Sequence, residues 1–170
     1  KLIQKNTPDK YFVSAGIHPH HASETVEINY DGLLSKLQSI NPHAIGETGL
    51  DYFRNISPPD IQKESFRMHI EIAKELNLPL YLHQRDAHND FIRIIRENRK
   101  NFPKFVVHCF TGTQKELDEY LDLGAYIGLT GWICDAKRNF DLRQSIKNIP
   151  IEKMMIETDS PYLIPKNLLN

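Results

Sequence analysis

The sequence predicts an α/β fold: a TIM (β/α)8 barrel represented by about six of its eight βα units. Three observations carry that prediction. Short apolar runs alternate along the chain with amphipathic segments of helical period. The apolar runs are continuous rather than alternating, the mark of parallel strands covered on both faces. Four of these runs close on a residue able to bind metal (Glu47, His83, His108 and Asp159), and a fifth closes on His18. A (β/α)8 barrel collects its functional groups at the C-terminal ends of its strands. An open doubly wound sheet does so too, but in one crevice fed by about two or three strands.

The elements follow in order. Tyr11 to Ile17 is a short apolar run ending at His18, and Asp31 to Ile40 has Leu33, Leu34, Leu37 and Ile40 at helical spacing. Ala44-Ile45 reads as the end of a buried strand, with Gly46-Glu47-Thr48-Gly49 where it gives out. Asp60 to Asn77 is the best helix. Pro58 and Pro59 precede it, Phe66, Ile70, Ala73 and Leu76 form its apolar face, and Leu78-Pro79 stops it. Leu80-Tyr81-Leu82 leads to His83, and Asp86 to Asn101 is helical. Phe105-Val106-Val107 leads to His108, and Gln114 to Leu123 is helical with Gly124 as its C′ residue. Ala125 to Leu129 is a strand, Phe140 to Asn148 a helix, and Met154-Met155-Ile156 a strand closing on Glu157-Thr158-Asp159.

Length limits the reading. Such barrels run to about 250 residues, so 170 residues leave the chain about two βα units short. No linker or low-complexity segment hides them, so residues 1–170 are read as a single partial barrel domain. The chain begins at Lys1, without an initiator Met, in what reads as the tail of a helix or loop. A net charge of −1 carries no global basic footprint for nucleic acid, although a metal site can bind phosphate without one. Two cysteines, Cys109 and Cys134, are too few for a disulfide framework and point to a reducing, cytoplasmic setting. No apolar run reaches the ~18 residues of a membrane span. There is no GxGxxG and no Walker loop, so no nucleotide cofactor is expected.

Glu47 frames the chemistry. A strand-end carboxylate between glycines calls for a cation, either a metal ion or a distant Arg or Lys. Together, Glu47, His83, His108 and Asp159 form a mixed imidazole and carboxylate set that suits Zn, Mn, Fe or Mg. Cys109 is expected to point away from whatever His108 faces, by strand alternation, and to act as a small buried apolar residue.

Several stretches carry a resemblance. These are Gly16-Ile17-His18-Pro19-His20, Ile45 to Tyr52 (IGETGLDY), His83-Gln84-Arg85-Asp86-Ala87, Val107-His108-Cys109-Phe110-Thr111-Gly112, Tyr126 to Gly131 (YIGLTG) and Ile156 to Leu163 (IETDSPYL). In order, and over nearly the whole chain, they resemble the TatD family of metal-dependent deoxyribonucleases. Thr130 to Asp135 lies nearest the branch that names the family. The resemblance implies a TIM barrel of the metal-dependent hydrolase type. It implies a divalent-metal nuclease that cleaves phosphodiester bonds from the 3′ end of single-stranded DNA or RNA, with a place in DNA repair. Mg2+ is the implied ion, with Mn2+ or Zn2+ as alternatives. Glu47, His83 and His108 match the family's metal ligands, and Asp159 matches its strand-eight aspartate.

Roles follow from that match. Glu47, His83, His108 and Asp159 hold metal, and Asp159 and Glu47 are the catalytic pair, Asp159 orienting or deprotonating the water. Arg85 is expected to contact phosphate, and His20 (with His21) the leaving group or a phosphate. Tyr52, Tyr162 and Phe53 are expected to stack on bases. The chain departs from the family at its ends. The His-x-His pair of the family's opening strand is absent, because His18-Pro19-His20 matches the third-strand motif, and no helix follows Pro165. The sequence therefore reads as truncated at both ends, with open strand edges. Two alternatives remain open at this stage: a metal-dependent ester or amide hydrolase, such as an aminoacyl-tRNA deacylase, and a barrel that is impaired or non-catalytic. The sequence assigns no protein partner.

Overall fold

The computed structural model describes residues 11–136 and 140–165. The expectations for Lys1 and for the residues after Pro165 lie outside the described residues. Contacts divide the chain into two compact units, Lys1–Pro103 and Lys104–Asn170. Parallel strands alternate with helices in both, as the continuous apolar runs predict.

The first unit holds β1 (Ser14–Ala15), α1 (Glu24–Ile40), β2 (Ala44–Asp51), α2 (Pro59–Leu76), β3 (Leu80–Arg85) and α3 (His88–Asn98). β1 pairs in parallel with β2, and β2 with β3. Gly16 follows β1 against β2, where a Cβ would lie 2.9 Å from the Cα of Gly46. Only glycine permits that approach. α1 begins earlier than the expected Asp31, but its helical backbone breaks at Asn29 (φ 51°). The Asn29 Oδ1 accepts the Gly32 N–H at 3.1 Å, so Asn29 caps the segment that the leucine spacing predicts. α2 opens on Pro59 and closes on left-handed Asn77, two positions where those residues meet little steric penalty. Its face of Phe66, Ile70 and Ala73 is buried, with Phe66 stacked 5.3 Å from Phe91 of α3.

His69 is the unexpected member of that face. It is wholly buried. Its Nε2 accepts the Ile17 N–H at 2.9 Å, and its Nδ1 donates to the Ser65 carbonyl at 2.7 Å. Burial outweighs the latter bond and lowers its pKa to about 4, so the ring is neutral.

The second unit holds β4 (Phe105–Val107), α4 (Gln114–Asp122), β5 (Tyr126–Leu129), α5 (Phe140–Ser145) and β6 (Met154–Ile156). β4 pairs in parallel with β5, and β5 with β6. α4 opens with a capping box, Thr113 reciprocated by Glu116. Gly124 takes a positive φ of 83° beyond its C-terminus, as expected. One expectation fails in β6. Its apolar run reads as doubly covered, yet Ile156 is 91 % exposed and Met155 is also exposed. Among the described residues β6 pairs only with β5, so it is an edge strand.

Candidate functional site

Each unit gathers its own cluster of imidazoles and carboxylates. In the first unit β1, β2 and β3 run in parallel, so the ends of adjacent strands meet. His18 lies just past β1, Glu47 within β2 and His83 within β3. Their ligand atoms lie within 4.8 Å of one another. The Glu47 Oε1 is 2.8 Å from His83 Nδ1 and 3.6 Å from His18 Nε2. Of the two cations left open for Glu47, the geometry favours those a pair of imidazoles can help to hold.

Glu47 is not where β2 gives out. The strand continues to Asp51, and its register against β3 slips between Gly46 and Thr48. Glu47 is the extra residue of that bulge, and a bulge re-aims one side chain without ending the strand. The apolar run ended early in sequence because the strand's last turn toward the site is polar and glycine-rich, not because pairing stopped.

Behind this group sits Asp51, 1 % exposed. Its Oδ1 accepts the Arg54 N–H at 2.7 Å. Its Oδ2 lies 2.7 Å from His20 Nε2 and 3.2 Å from His83 Nε2. Burial alone would raise its pKa. The bonds from His83, the Arg54 N–H and His20 outweigh burial and hold the carboxyl well below its ordinary range. His83 shows the converse. Desolvation lowers its pKa, but the bonds to Asp51 and Glu47 prevail and bring it to about 9 in the absence of a cation. His18 falls to about 4, first through burial and then through the neighbouring charge on His83. The Nδ1 of His18 accepts the His20 N–H at 3.2 Å, which leaves its proton on Nε2, facing Glu47. In this arrangement the His18 Nε2–H faces Glu47, and His83 is a charged ring between two carboxylates whose Nδ1 can ligate once a cation displaces its proton.

The expected substrate contacts of this unit are differently placed. Arg85 shares a face of β3 with His83, two residues on. Its guanidinium stacks 3.8 Å above the ring of Phe53, which is 57 % exposed. The Tyr52 hydroxyl donates to Asp90 at 2.7 Å, and burial and that carboxylate push its pKa up. His20 stands edge-to-face against His18, with ring centroids 4.2 Å apart.

In the second unit His108, Cys109 and Asp159 form the close group. His108 Nε2 is 3.6 Å from the Asp159 carboxylate, and its Nδ1 is 3.0 Å from Glu157 Oε2. The same Glu157 oxygen accepts the Cys109 N–H at 3.0 Å. A Cβ at Gly128 would collide with the Glu157 carboxylate, so the glycine of β5 leaves room for it. Tyr162 is exposed beyond this cluster.

Cys109 corrects an expectation. It does not point away from the His108 site: its Sγ belongs to the close group and lies 3.3 Å from Thr130 Oγ1. β4 ends at Val107, and Cys109 has a φ of 49°, so strand alternation does not reach it.

The sequence reading brought out Glu47, His83, His108 and Asp159. It noted His18 as a strand end but gave it no role, and it passed over Asp51 and Glu157. Glu157 was findable: it is the first charged residue after the Met154–Ile156 run. Asp51 had no such signal, because it reads as one more polar residue of a turn.

Imidazole nitrogen with carboxylate oxygen, as in both clusters, is a donor set for borderline and hard divalent cations. The donors present therefore fit a divalent metal ion. No described helix is long and apolar enough to cross a membrane.

Comparison with known proteins gives the family. The chain is 45 % identical over 163 residues to the 3′-5′ ssDNA/RNA exonuclease TatD of a Rahnella species, covering 96 % of this chain and 62 % of the relative. It is 42 % identical over 167 residues to the protein of the same name from Pectobacterium atrosepticum, covering 98 % and 64 %. The chain thus spans less than two thirds of the curated relatives it matches. Among solved structures it resembles a TatD-family hydrolase of Entamoeba histolytica, with a TM-score of 0.79, 32 % identity, and coverage of 93 % of this chain and 55 % of that one. It also resembles the TatD homologue YjjV of Escherichia coli K12, with a TM-score of 0.82, 26 % identity, and coverage of 94 % and 62 %. Those likenesses carry the barrel-type α/β hydrolase fold. With the family profile described as "TatD related DNase" matching residues 1–169, the chain belongs to that family.

Proposed function

We propose that this chain is the metal-dependent hydrolase domain of a nuclease that removes nucleotides from the 3′ end of single-stranded DNA or RNA. One observation carries the reading. In each unit an imidazole nitrogen and a carboxylate oxygen converge at parallel strand ends, while a second carboxylate occupies the other ring nitrogen. That is how a histidine is prepared to hold a divalent cation. The names of the relatives supply the substrate class.

Glu47 and His83 would hold the ion in the first unit, and His108 and Asp159 in the second. Mg2+ is the first candidate, and Mn2+ and Zn2+ also suit the donors. When bound, such an ion lowers the pKa of water and neutralises phosphoryl oxygens. The chain's own groups do the rest. Asp159 would orient the attacking water or accept its proton, and Glu47 would share that role in the first unit. His18, with its proton on Nε2 and 3.6 Å from the Glu47 carboxylate, is available to donate to a phosphoryl oxygen. His20, held by Asp51 and packed edge-on against His18, serves the leaving oxygen or a phosphate. Arg85 presents its guanidinium from the His83 face of β3 to the backbone of the substrate. Phe53 offers an exposed ring for stacking, Tyr162 does the same beyond β6, and Tyr52 braces the Phe53 loop through Asp90. The cysteine content favours the cytoplasm.

The test is release of 3′ nucleotides from single-stranded DNA by the full-length protein, with and without a chelator. Chelation and the Glu47→Gln change should each abolish release. Release that persists through both would overturn the reading.

A further inference from the structure

We propose that Asp51 is a positioning residue that selects which nitrogen of His83 is offered to a divalent cation. The inference rests on the metal reading above and names a residue outside the ligand set.

Asp51 is fixed independently of the histidines. Its N–H donates to Gln62 Oε1 at 2.7 Å, and its carbonyl accepts the Gln62 Nε2–H at 3.1 Å. Its Oδ1 accepts the Arg54 N–H. The remaining oxygen, Oδ2, is thereby aimed at His83 Nε2 and His20 Nε2. An ionised carboxylate only accepts, and a neutral imidazole carries one N–H. A cation that binds at Nδ1 displaces the proton there, and Asp51 holds the one that remains on Nε2.

The alternative tautomer matters because a second carboxylate competes for the same proton. Glu47 Oε1 lies 2.8 Å from Nδ1. If Nδ1 carried the proton, Glu47 and His83 would satisfy each other, and both would be lost to a cation. Asp51 gives Nε2 an acceptor of its own at 3.2 Å, so the ring keeps one held proton when a cation takes Nδ1 from Glu47. The close group of potential ligands in this unit is His18, Glu47 and His83, so Asp51 acts through the ring and not on the ion. The second unit has the same device with the nitrogens exchanged, Glu157 holding Nδ1 of His108. A carboxylate behind a ligating histidine typically changes metal affinity by about 10- to 100-fold.

The experiment is a Mn2+ titration followed by electron paramagnetic resonance on the full chain, with thermal melting alongside. Asp51→Asn should raise the Mn2+ Kd about 10-fold or more, and Asp51→Glu should recover part of that loss. Gln62→Ala loosens the same turn while keeping the carboxylate. It should lower the melting temperature and raise the Kd by clearly less than Asp51→Asn does. A Kd for Asp51→Asn within about threefold of the parent, or an equal loss in Gln62→Ala, would overturn the proposal. A second measurement needs no variant. In the Mg2+-saturated parent with 15N-labelled histidine, the His83 proton should sit on Nε2, and a proton on Nδ1 would overturn the proposal. A parent that binds no Mn2+ would overturn the metal reading and this inference with it. Mn2+ binding that ignores Asp51 would overturn this inference alone.

Discussion

In the first unit the His83 ring lies between Glu47 on Nδ1 and Asp51 on Nε2. In the second, His108 lies between Glu157 on Nδ1 and Asp159 on Nε2. Both rings are held between two carboxylates, but the nitrogen facing the close group of ligands is exchanged. The backbone explains the exchange. His83 projects from within β3, and its rear carboxylate comes from the neighbouring strand β2. His108 lies beyond the end of β4, and its rear carboxylate, Glu157, also accepts the N–H of the next residue, Cys109. Ligand identity therefore follows from which nitrogen is already occupied, not from residue type.

The comparison can be broken most sharply at the rings themselves. His83→Ala and His108→Ala in the full-length protein should each abolish metal-dependent nuclease activity while leaving the fold intact by circular dichroism. If one variant kept parental activity, the two clusters would not be functionally equivalent. A smaller effect is expected one step back. Glu157→Gln keeps the shape but weakens the hold on Nδ1, and metal affinity should fall about 10- to 100-fold. Isothermal titration with Mn2+ would read it. A loss confined to Asp51→Asn would mean that only the first unit depends on its rear carboxylate.

Acid and alkali should separate the units by stability. In the unfolded chain histidine titrates near 6.5. The folded pKa of His69 is lowered to about 4, so the unfolded state binds more protons between those values, and stability falls as pH drops through that window. His18, also lowered to about 4, acts in the same direction. For the fully buried His69 the loss is on the order of 3 kcal/mol. His83 acts oppositely. Its folded pKa of about 9 is raised, so its contribution is complete below 6.5 and is lost as pH rises toward 9. Metal-free protein should thus be most stable near pH 6.5, with hydrogen exchange in the first unit rising on both sides. A profile flat from pH 4 to 9 would contradict these buried states. The smallest effect belongs to the second unit. Thr113→Ala removes the cap of α4 and should cost about 1 kcal/mol in urea unfolding, with no change in the first unit's exchange.

Much of this was legible in residues read singly. Continuous apolar runs marked parallel strands, and Pro59, Pro79 and Gly124 marked helix ends, whereas the left-handed cap at Asn77 had to be seen in the structure. Glu47, His83, His108 and Asp159 stood out because polar residues that close apolar runs are conspicuous. Asp51 and Cys109 did not. One lies where β2 outlasts its apolar pattern, and the other where a positive φ ends strand alternation. His69 was hidden for a related reason: a polar residue on an apolar helix face is explained only by partners distant in sequence, here Ile17.

The sequence by itself determined the order of strands and helices, the family, and the residues with ligand chemistry. Those depend on local propensity, apolar period and the identity of side-chain atoms. Tertiary structure alone decided which carboxylate meets which imidazole nitrogen, that Glu47 sits on a bulge and not at a strand end, and that His18 turns its Nε2 toward Glu47. Those depend on hydrogen bonds across 30 or more residues, as between His20 and Asp51 or His83 and Glu47. A proton's place on a ring is set by the partner that folding brings to it, and no local pattern encodes that partner.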